Sequence, residues 1–229
     1  MARLRRVIAP GLPHHVTQRG NQKANVYRDE QDRQVYSRLL LERSRQYSID
    51  ILSYCLMTNH IHLVVVPYRK DSLSKGLRDA HGLYAAYFNR KYNRTGHLWQ
   101  GRFYSCVLDE FGLWSAVRYV ERNPVRAGMV KRAELYRWCS AGAHCGFRED
   151  PLLAKWVPPK GPTFNWSGWL ASEEAQDELE SLREKTKTGR PWGSDTFIEQ
   201  LESKLGRPLK PQKGGRPFSK KPKPKTVNG

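Results

Sequence analysis

The sequence is poor in acidic residues and in long apolar runs. Its 229 residues contain 22 Asp and Glu against 40 Lys and Arg, a formal net charge of +18. An excess this large favours a polyanionic partner such as nucleic acid. No apolar run approaches the roughly 20 residues of a membrane-spanning helix, and no apolar signal core follows the basic amino terminus. We therefore expect a cytoplasmic, nucleoid-associated protein with no membrane partner.

Cysteine is scarce, and a nucleotide-binding loop is missing. The four cysteines show no Cys-x-x-Cys spacing, which favours reduced thiols over a disulfide framework. Cys139, His144 and Cys145 can be read as part of a zinc site, but a fourth ligand at regular spacing is missing. No Gly-x-x-x-x-Gly-Lys-Ser/Thr loop occurs, so we expect neither a bound nucleotide nor a fused helicase.

The order of predicted elements indicates an α+β core. Strands are predicted at residues 14–18, 49–57, 60–67 and 103–108, and helices at 32–47, 72–92 and 114–123. This order favours a central antiparallel sheet covered by helices over a parallel doubly wound sheet.

The composition changes after about residue 150. A segment rich in proline and glycine at 156–162 precedes two predicted helices, at 173–187 and at 194–205, where Ser194 is a candidate cap. The last residues are basic, without acids, and typical of disorder. The predicted divisions are a core domain at 1–150, a linker with a charged helix at 151–192, a short satellite helix at 193–206 and a disordered basic tail at 207–229.

Two pairs of residues carry the candidate chemistry. His60 and His62 lie at i and i+2 of a predicted strand, which places both imidazoles on one face. Tyr119 and Asn123 lie at i and i+4 of a predicted helix, which Pro124 is expected to end. Each pair alone also fits a structural role, as hydrogen-bonded histidines or as an aromatic anchor with a helix-ending residue. If the two faces meet, a metal would lie beside a nucleophilic tyrosine.

Together these segments resemble a known family. Residues 60–62 (His-Ile-His) resemble the His-hydrophobic-His motif of the HUH single-strand endonucleases, and 118–128 look like the tyrosine helix of IS200-like transposases. Residues 17–21 and 99–103 resemble segments of REP-associated tyrosine transposases, so the likeness spans roughly residues 5 to 148. The resemblance implies a ferredoxin-like or RRM-like fold.

The resemblance also implies a reaction. His60, His62 and Asn123 would hold a divalent cation, Mg²⁺ or Mn²⁺, which polarises the scissile phosphate. Tyr119 would attack that phosphate, giving a 5′-phosphotyrosine and a free 3′-OH, and strand transfer would need no further cofactor.

The implied partner is single-stranded DNA with hairpins, the repetitive extragenic palindromes (REP). Arginines would contact the phosphates of this DNA. Aromatic side chains, with Phe103 and Tyr104 among them, would stack on its unpaired bases. Arginines also occur on solvated faces, and aromatic side chains also occur in cores. The candidate DNA-binding residues are Arg5, Arg6, Arg19, Asn21, Trp99, Gln100, Arg102, Arg126 and Arg216. Arg216 lies in a Gly-Arg-Pro triplet that resembles the core of an AT-hook, with a generic polycation as the alternative.

Two other functions stay open. A non-catalytic hairpin-binding protein is one, since an antiparallel sheet with helices on one face also suits single-strand binding. A replication initiator is the other, although such proteins have longer chains or added ATPase domains. The sequence does not decide between monomer and homodimer, nor between transposition and a role for the host.

Overall fold

The computed structural model describes residues 6–155 and 165–210. Its four strands form one antiparallel sheet in the order β2-β3-β1-β4. The strands are β1 (His14–Arg19), β2 (Ile49–Leu56), β3 (His60–Pro67) and β4 (Tyr104–Val107). The helices are α1 (Glu30–Gln46), α2 (Ser72–Lys91), α3 (Glu110–Glu121), α4 (Asn123–Arg126), α5 (Ala141–His144), α6 (Trp166–Ala171), α7 (Gln176–Thr188) and α8 (Asp195–Leu205). The predicted α+β class with an antiparallel sheet is confirmed.

Strand β3 lies in the middle of the sheet and divides its residues between two cores. Ile61, Leu63 and Val65 enter one buried apolar cluster, whereas Val64 enters the cluster on the opposite face. His62 shares the face of Val64, because side chains alternate along a strand. The alternation therefore places the histidines on the second face of the sheet.

Helices cover both faces of the sheet. Helices α1 and α2 pack on each other and against β2, whereas α3 packs on β2 and β3 and α7 packs on β4 and β1. Asp109 caps α3 by accepting a hydrogen bond from the Gly112 amide at 2.8 Å, which fixes where the tyrosine helix begins. The alternative of a non-catalytic binding protein was based on a sheet with helices on one face. The structure has helices on both faces instead.

The tyrosine helix begins earlier than predicted, and it ends at Glu121, close to the predicted end near Asn123. It begins at Glu110, because the Asp109 cap adds a turn ahead of the predicted start. Pro124 does not end the helical path, because it lies in the first turn of α4, where the missing amide hydrogen costs no hydrogen bond. Asn123 is thus the first residue of α4 and follows α3 after one intervening residue.

The two predicted C-terminal helices exist and pack on the core. Ser194 caps α8 as predicted, accepting from the Phe197 amide at 3.2 Å. Leu179 and Leu182 of α7 are buried in the cluster that contains Val64, and α8 buries Leu201 in a third cluster. These contacts hold the helices against the sheet; the domain boundaries themselves stay a prediction.

The predicted linker at 156–162 and most of the predicted basic tail lie outside the described residues. No helix in the described ranges is long and apolar enough to cross a membrane.

Candidate metal and tyrosine site

Strand β3, strand β1 and helix α3 bring three histidines and a tyrosine together. The rings of His60 and His62 are 5.0 Å apart between centroids and nearly perpendicular. His15 of β1 stacks on His62 at 5.2 Å, and Tyr119 meets His62 edge-on at 5.4 Å. The face of the predicted helix therefore does meet the histidine pair, through the contact of Tyr119 with His62.

One nitrogen of each β3 histidine is engaged by a neighbour. His60 Nδ1 lies 2.6 Å from Asn59 Oδ1, and the Asn59 amide group donates to the Lys23 carbonyl at 3.0 Å. Because a carbonyl only accepts, this bond fixes Asn59 Oδ1 as the acceptor and His60 Nδ1 as the donor. His62 Nδ1 lies 3.0 Å from His15 Nε2. The second nitrogen of each ring, Nε2, is the one left for a ligand.

Burial keeps these imidazoles neutral at pH 7. It lowers the pKa of His60 to about 4, with a smaller contribution from Arg19. Burial also holds the pKa of His62 well below its usual range, with smaller contributions from the neighbouring histidines and from Arg126 and Arg19. Neutral imidazole is the form that binds a metal ion.

The junction of α3 and α4 contributes the tyrosine and an amide. Asn123 Nδ2 donates to the Tyr119 carbonyl at 3.4 Å, which leaves the amide oxygen as the atom able to bind a cation. Two guanidinium groups approach the Tyr119 ring, that of Arg126 at 4.3 Å from its centroid and that of Arg183 at 5.6 Å. The site therefore holds two positive charges beside the tyrosine ring.

A pocket of about 580 Å³ contains all four candidate chemical residues. It is lined by His15, Thr17, Arg19, Met57, His60, His62, Gln100, Tyr104, Tyr119, Asn123, Arg126, Ala127, Arg183, Thr186 and Lys187. In the described part of the chain, no three His, Cys, Asp or Glu side chains are grouped to hold a metal. A cation in this pocket would therefore combine the two β3 histidines with the Asn123 amide, and the zinc reading of Cys139, His144 and Cys145 finds no support.

Sequence reasoning missed His15 of β1 and the pocket residues that come from α7. His15 gave no signal beyond its place in a predicted strand. Arg183, Thr186 and Lys187 belong to a helix predicted only as charged, more than 60 residues after Tyr119. No spacing rule connects residues so far apart in sequence.

The predicted DNA-binding residues fall into two pockets. Arg19 and Arg126 line the first pocket, and Arg6, Asn21, Trp99 and Arg102 line a second one of about 710 Å³. Gln100 lines both, so the two pockets adjoin there. Arg5 and Arg216 lie outside the described residues.

Several of the residues predicted to contact DNA have partners within the protein. Trp99 is 9% exposed, and its indole Nε1 donates to the His81 carbonyl at 3.2 Å, so the structure favours the core role over base stacking. Phe103 is likewise buried, beneath the guanidinium of Arg6 at 3.6 Å. Arg126 donates to both carboxylate oxygens of Glu174 at 2.9 Å, so part of its charge is already compensated.

Comparisons with known proteins find similarity to transposases. Residues 10–123 match the family model of the IS200-like transposases. A REP-associated tyrosine transposase bound to a REP hairpin has a similar structure, with 16% identity and a TM-score of 0.55 over 69% of this chain and 99% of that one. A candidate transposase from Deinococcus radiodurans R1 aligns with 16% identity and a TM-score of 0.38 over 53% of this chain and 97% of that one. No curated protein sequence matches the chain.

Proposed function

Since the chain belongs to the IS200-like transposase family through residues 10–123, we propose that it is a metal-dependent endonuclease and strand transferase with Tyr119 as its nucleophile. The observation that carries this proposal is the single pocket that holds Tyr119, His60, His62 and Asn123. Its substrate would be hairpin-forming single-stranded DNA, the class suggested by the REP hairpin in the similar solved structure.

The side chains in the pocket fit a divalent cation. His60 and His62 each have one nitrogen engaged by a neighbour and one left over, and Asn123 adds an amide oxygen. A mixed set of two imidazoles and one oxygen, with further positions left for phosphate and water, suits Mn²⁺ and is also open to Mg²⁺. When bound there, the ion would polarise the scissile phosphate and offset charge in the transition state.

Tyr119 would perform the covalent step. As its oxygen bonds to phosphorus, the bond from phosphorus to the 3′ oxygen breaks, the tyrosine proton leaves to solvent and the 3′ oxygen gains a proton. The guanidinium groups of Arg126 and Arg183 lie near the Tyr119 ring and would offset negative charge on the phosphate under attack. The phosphotyrosine conserves the energy of the broken bond, so attack by another 3′-OH rejoins DNA without ATP.

The adjoining pockets suggest a path for the DNA. Arg6, Asn21 and Arg102 line the second pocket, away from the reacting groups, and would bind the hairpin or its flanking bases. Gln100 lies on both pockets, so a strand leaving the second pocket would pass it on the way to Tyr119.

A covalent-adduct experiment tests this function. The full chain would be incubated with Mn²⁺ and end-labelled hairpin DNA from its own genomic neighbourhood, and denaturing gels would be examined for labelled protein. We expect an adduct with the wild type and with Tyr68→Phe, an exposed tyrosine outside the pocket, and none with Tyr119→Phe. Tight DNA binding by all three proteins with no adduct would instead support the non-catalytic hairpin-binding protein.

A further inference from the structure

We propose that Thr186 of α7 is a positioning residue that acts through His15 to set the ring tautomer of His62, so that His62 Nε2 offers its lone pair to the cation. This inference rests on the proposed function and deepens it. It assigns part of the metal site to a helix that lies outside the residues matched by the family model.

A continuous chain of buried contacts links α7 to the candidate metal ligand. Thr186 Oγ1 lies 2.7 Å from His15 Nδ1, and His15 Nε2 lies 3.0 Å from His62 Nδ1. At its far end, Thr186 Oγ1 lies 3.2 Å from Cys106 Sγ. Thr186 is 3% exposed, His15 is 1% exposed and His62 is 6% exposed, so water does not compete for these bonds.

The chain admits two arrangements of its protons. A neutral imidazole has one N–H and one lone pair, and a hydroxyl both donates and accepts. In the first arrangement His62 Nδ1 donates to His15, His15 Nδ1 donates to Thr186, and the Thr186 hydroxyl donates to Cys106. In the second, every donor reverses and His62 Nε2 carries a proton. Only the first leaves a lone pair on His62 Nε2.

The far end of the chain favours the first arrangement even without a cation, because the Thr186 hydroxyl is a better donor than the weak S–H of Cys106. The neighbouring histidine favours the same arrangement further when a cation binds. Asn59 already fixes the proton of His60 on Nδ1, so His60 offers a lone pair at Nε2. A second lone pair from His62 then completes a pair of imidazole donors, whereas an N–H in that position would repel a cation. Thr186 makes this arrangement possible because its hydroxyl accepts the hydrogen bond from His15.

Helix α7 is held firmly enough to place the hydroxyl. Leu179 and Leu182, on the same helix, are 5% and 1% exposed in the cluster that also contains Cys106. Gly189 caps the end of the helix, and its φ of 76° is the left-handed conformation that suits glycine at this position. Arg183, one turn before Thr186, approaches the ring of Tyr119. The same helix thus contacts both the tyrosine and the histidine network.

The first test reads the tautomers in the wild-type full chain without metal. Long-range ¹H–¹⁵N NMR spectra distinguish a protonated ring nitrogen from one with a lone pair. We expect assigned signals that show protons on Nδ1 of both His62 and His15, and lone pairs on Nε2. A proton on His62 Nε2 in the metal-free protein would overturn the proposal, whether or not the protein cleaves DNA.

The second test measures Mn²⁺ affinity by calorimetry. Thr186→Val keeps the side-chain shape but removes the acceptor, and we expect it to weaken binding about tenfold, the lower end of the effect of lost outer partners of metal-binding histidines. Thr186→Ser restores the hydroxyl and should restore affinity. Thr188→Val, on the same helix but with its hydroxyl bonded to the Glu184 carbonyl at 2.9 Å, is the matched control and should bind as the wild type does.

The outcomes separate this inference from the proposed function. Equal Mn²⁺ affinity and an unchanged His15 tautomer in Thr186→Val would overturn the positioning role, while leaving a metal site that His60→Ala abolishes. A wild type that binds no Mn²⁺ would contradict the metal-dependent function, and the tautomers of His15 and His62 would still decide the role of Thr186.

Discussion

Two segments of the chain contribute different kinds of residue to the candidate site. One is residues 10–123, which match the family model, and the other is residues 165–210, which we call the extension. The matched segment carries the histidines and the tyrosine in the pocket. The extension holds that segment from outside: Trp166 donates to the buried carboxylate of Glu121 at 2.7 Å, and Thr186 contacts His15. Groups expected to react can thus be found by motif, whereas the groups that hold them come from a segment with only a generic helical pattern.

The two segments also meet through charge. Three arginines at the end of α3 and in α4 reach residues 172–174 of the extension. They are Arg118, Arg122 and Arg126. Glu174 lies 2.9 Å from Arg126 and 3.3 Å from Arg122. Through Glu174 the extension therefore compensates positive charge beside Tyr119. Through Arg183 and Lys187 the same extension adds positive charge to the pocket.

Removing a candidate metal ligand from the matched segment should give the largest effect. In His60→Ala the cation loses one of two imidazoles, and we expect no measurable Mn²⁺ binding at concentrations that saturate the wild type. Calorimetry provides the measurement. His97→Ala, an exposed histidine outside the first pocket, is the control and should retain full affinity. Undiminished binding by His60→Ala would place the ion elsewhere.

Equivalent core substitutions compare how much each segment contributes to stability. Leu77 of α2 is 2% exposed and Leu182 of α7 is 1% exposed. Each change to alanine should lower the free energy of unfolding by about 2–5 kcal/mol, the cost of a cavity in a packed core. Chemical denaturation should show one transition for both variants. A separate early transition in Leu182→Ala would mean that the extension folds as its own unit.

Acid sensitivity should arise in the matched segment, because the extension contains no histidine. Burial lowers the pKa of His14 to about 4 and the pKa of His81 to about 3. The unfolded chain, with a histidine pKa near 6.5, therefore binds more protons below that pH. The contribution of these two histidines to the free energy of unfolding is therefore complete above pH 6.5. It falls as the pH is lowered toward 4, by up to about 1.4 kcal/mol per pH unit for each histidine.

Denaturation midpoints at pH 7.0 and 5.5 measure this slope. His81 Nε2 lies 3.0 Å from the Tyr36 hydroxyl, and His81→Gln keeps a polar partner there without a group that titrates. We expect the variant to lose less stability than the wild type between the two pH values. An identical loss would assign the acid sensitivity to other groups.

Removing a charge from the extension should give the smallest effect. Glu174→Gln frees Arg126 and Arg122 from their ion pairs, and hairpin DNA should bind about twofold to fivefold more tightly, the range expected for a partly exposed pair. The dependence of affinity on salt should also become steeper. Glu180→Gln, an exposed acid on α7, is the control for net charge. An equal gain in both variants would remove any special role of Glu174.

The sequence predicted those parts of the site whose geometry is local. The i, i+2 spacing of His60 and His62 and the i, i+4 spacing of Tyr119 and Asn123 follow from the strand and the helix themselves. That the two faces meet depends on the order of the strands in the sheet. The family resemblance implied this meeting, and the structure shows the rings in contact.

The remaining contacts depend on tertiary structure. His15 and Thr186 are 171 residues apart in sequence, and the pattern of α7 shows only a charged, amphipathic helix. The sequence predicts that Trp99 contacts DNA, but a tryptophan side chain suits a core as well as a base-stacking surface. Its burial depends on tertiary packing, which no local sequence pattern records.

Mapping the covalent adduct tests the central claim most directly. The full chain would react with Mn²⁺ and hairpin DNA, and mass spectrometry after protease and nuclease digestion would locate the phosphonucleotide. We predict a 5′-phosphate linkage on Tyr119, lost when Mn²⁺ is chelated before mixing. An adduct on another tyrosine, or one that forms equally in the chelator, would contradict the assignment of His60, His62, Asn123 and Tyr119 to one metal-dependent site.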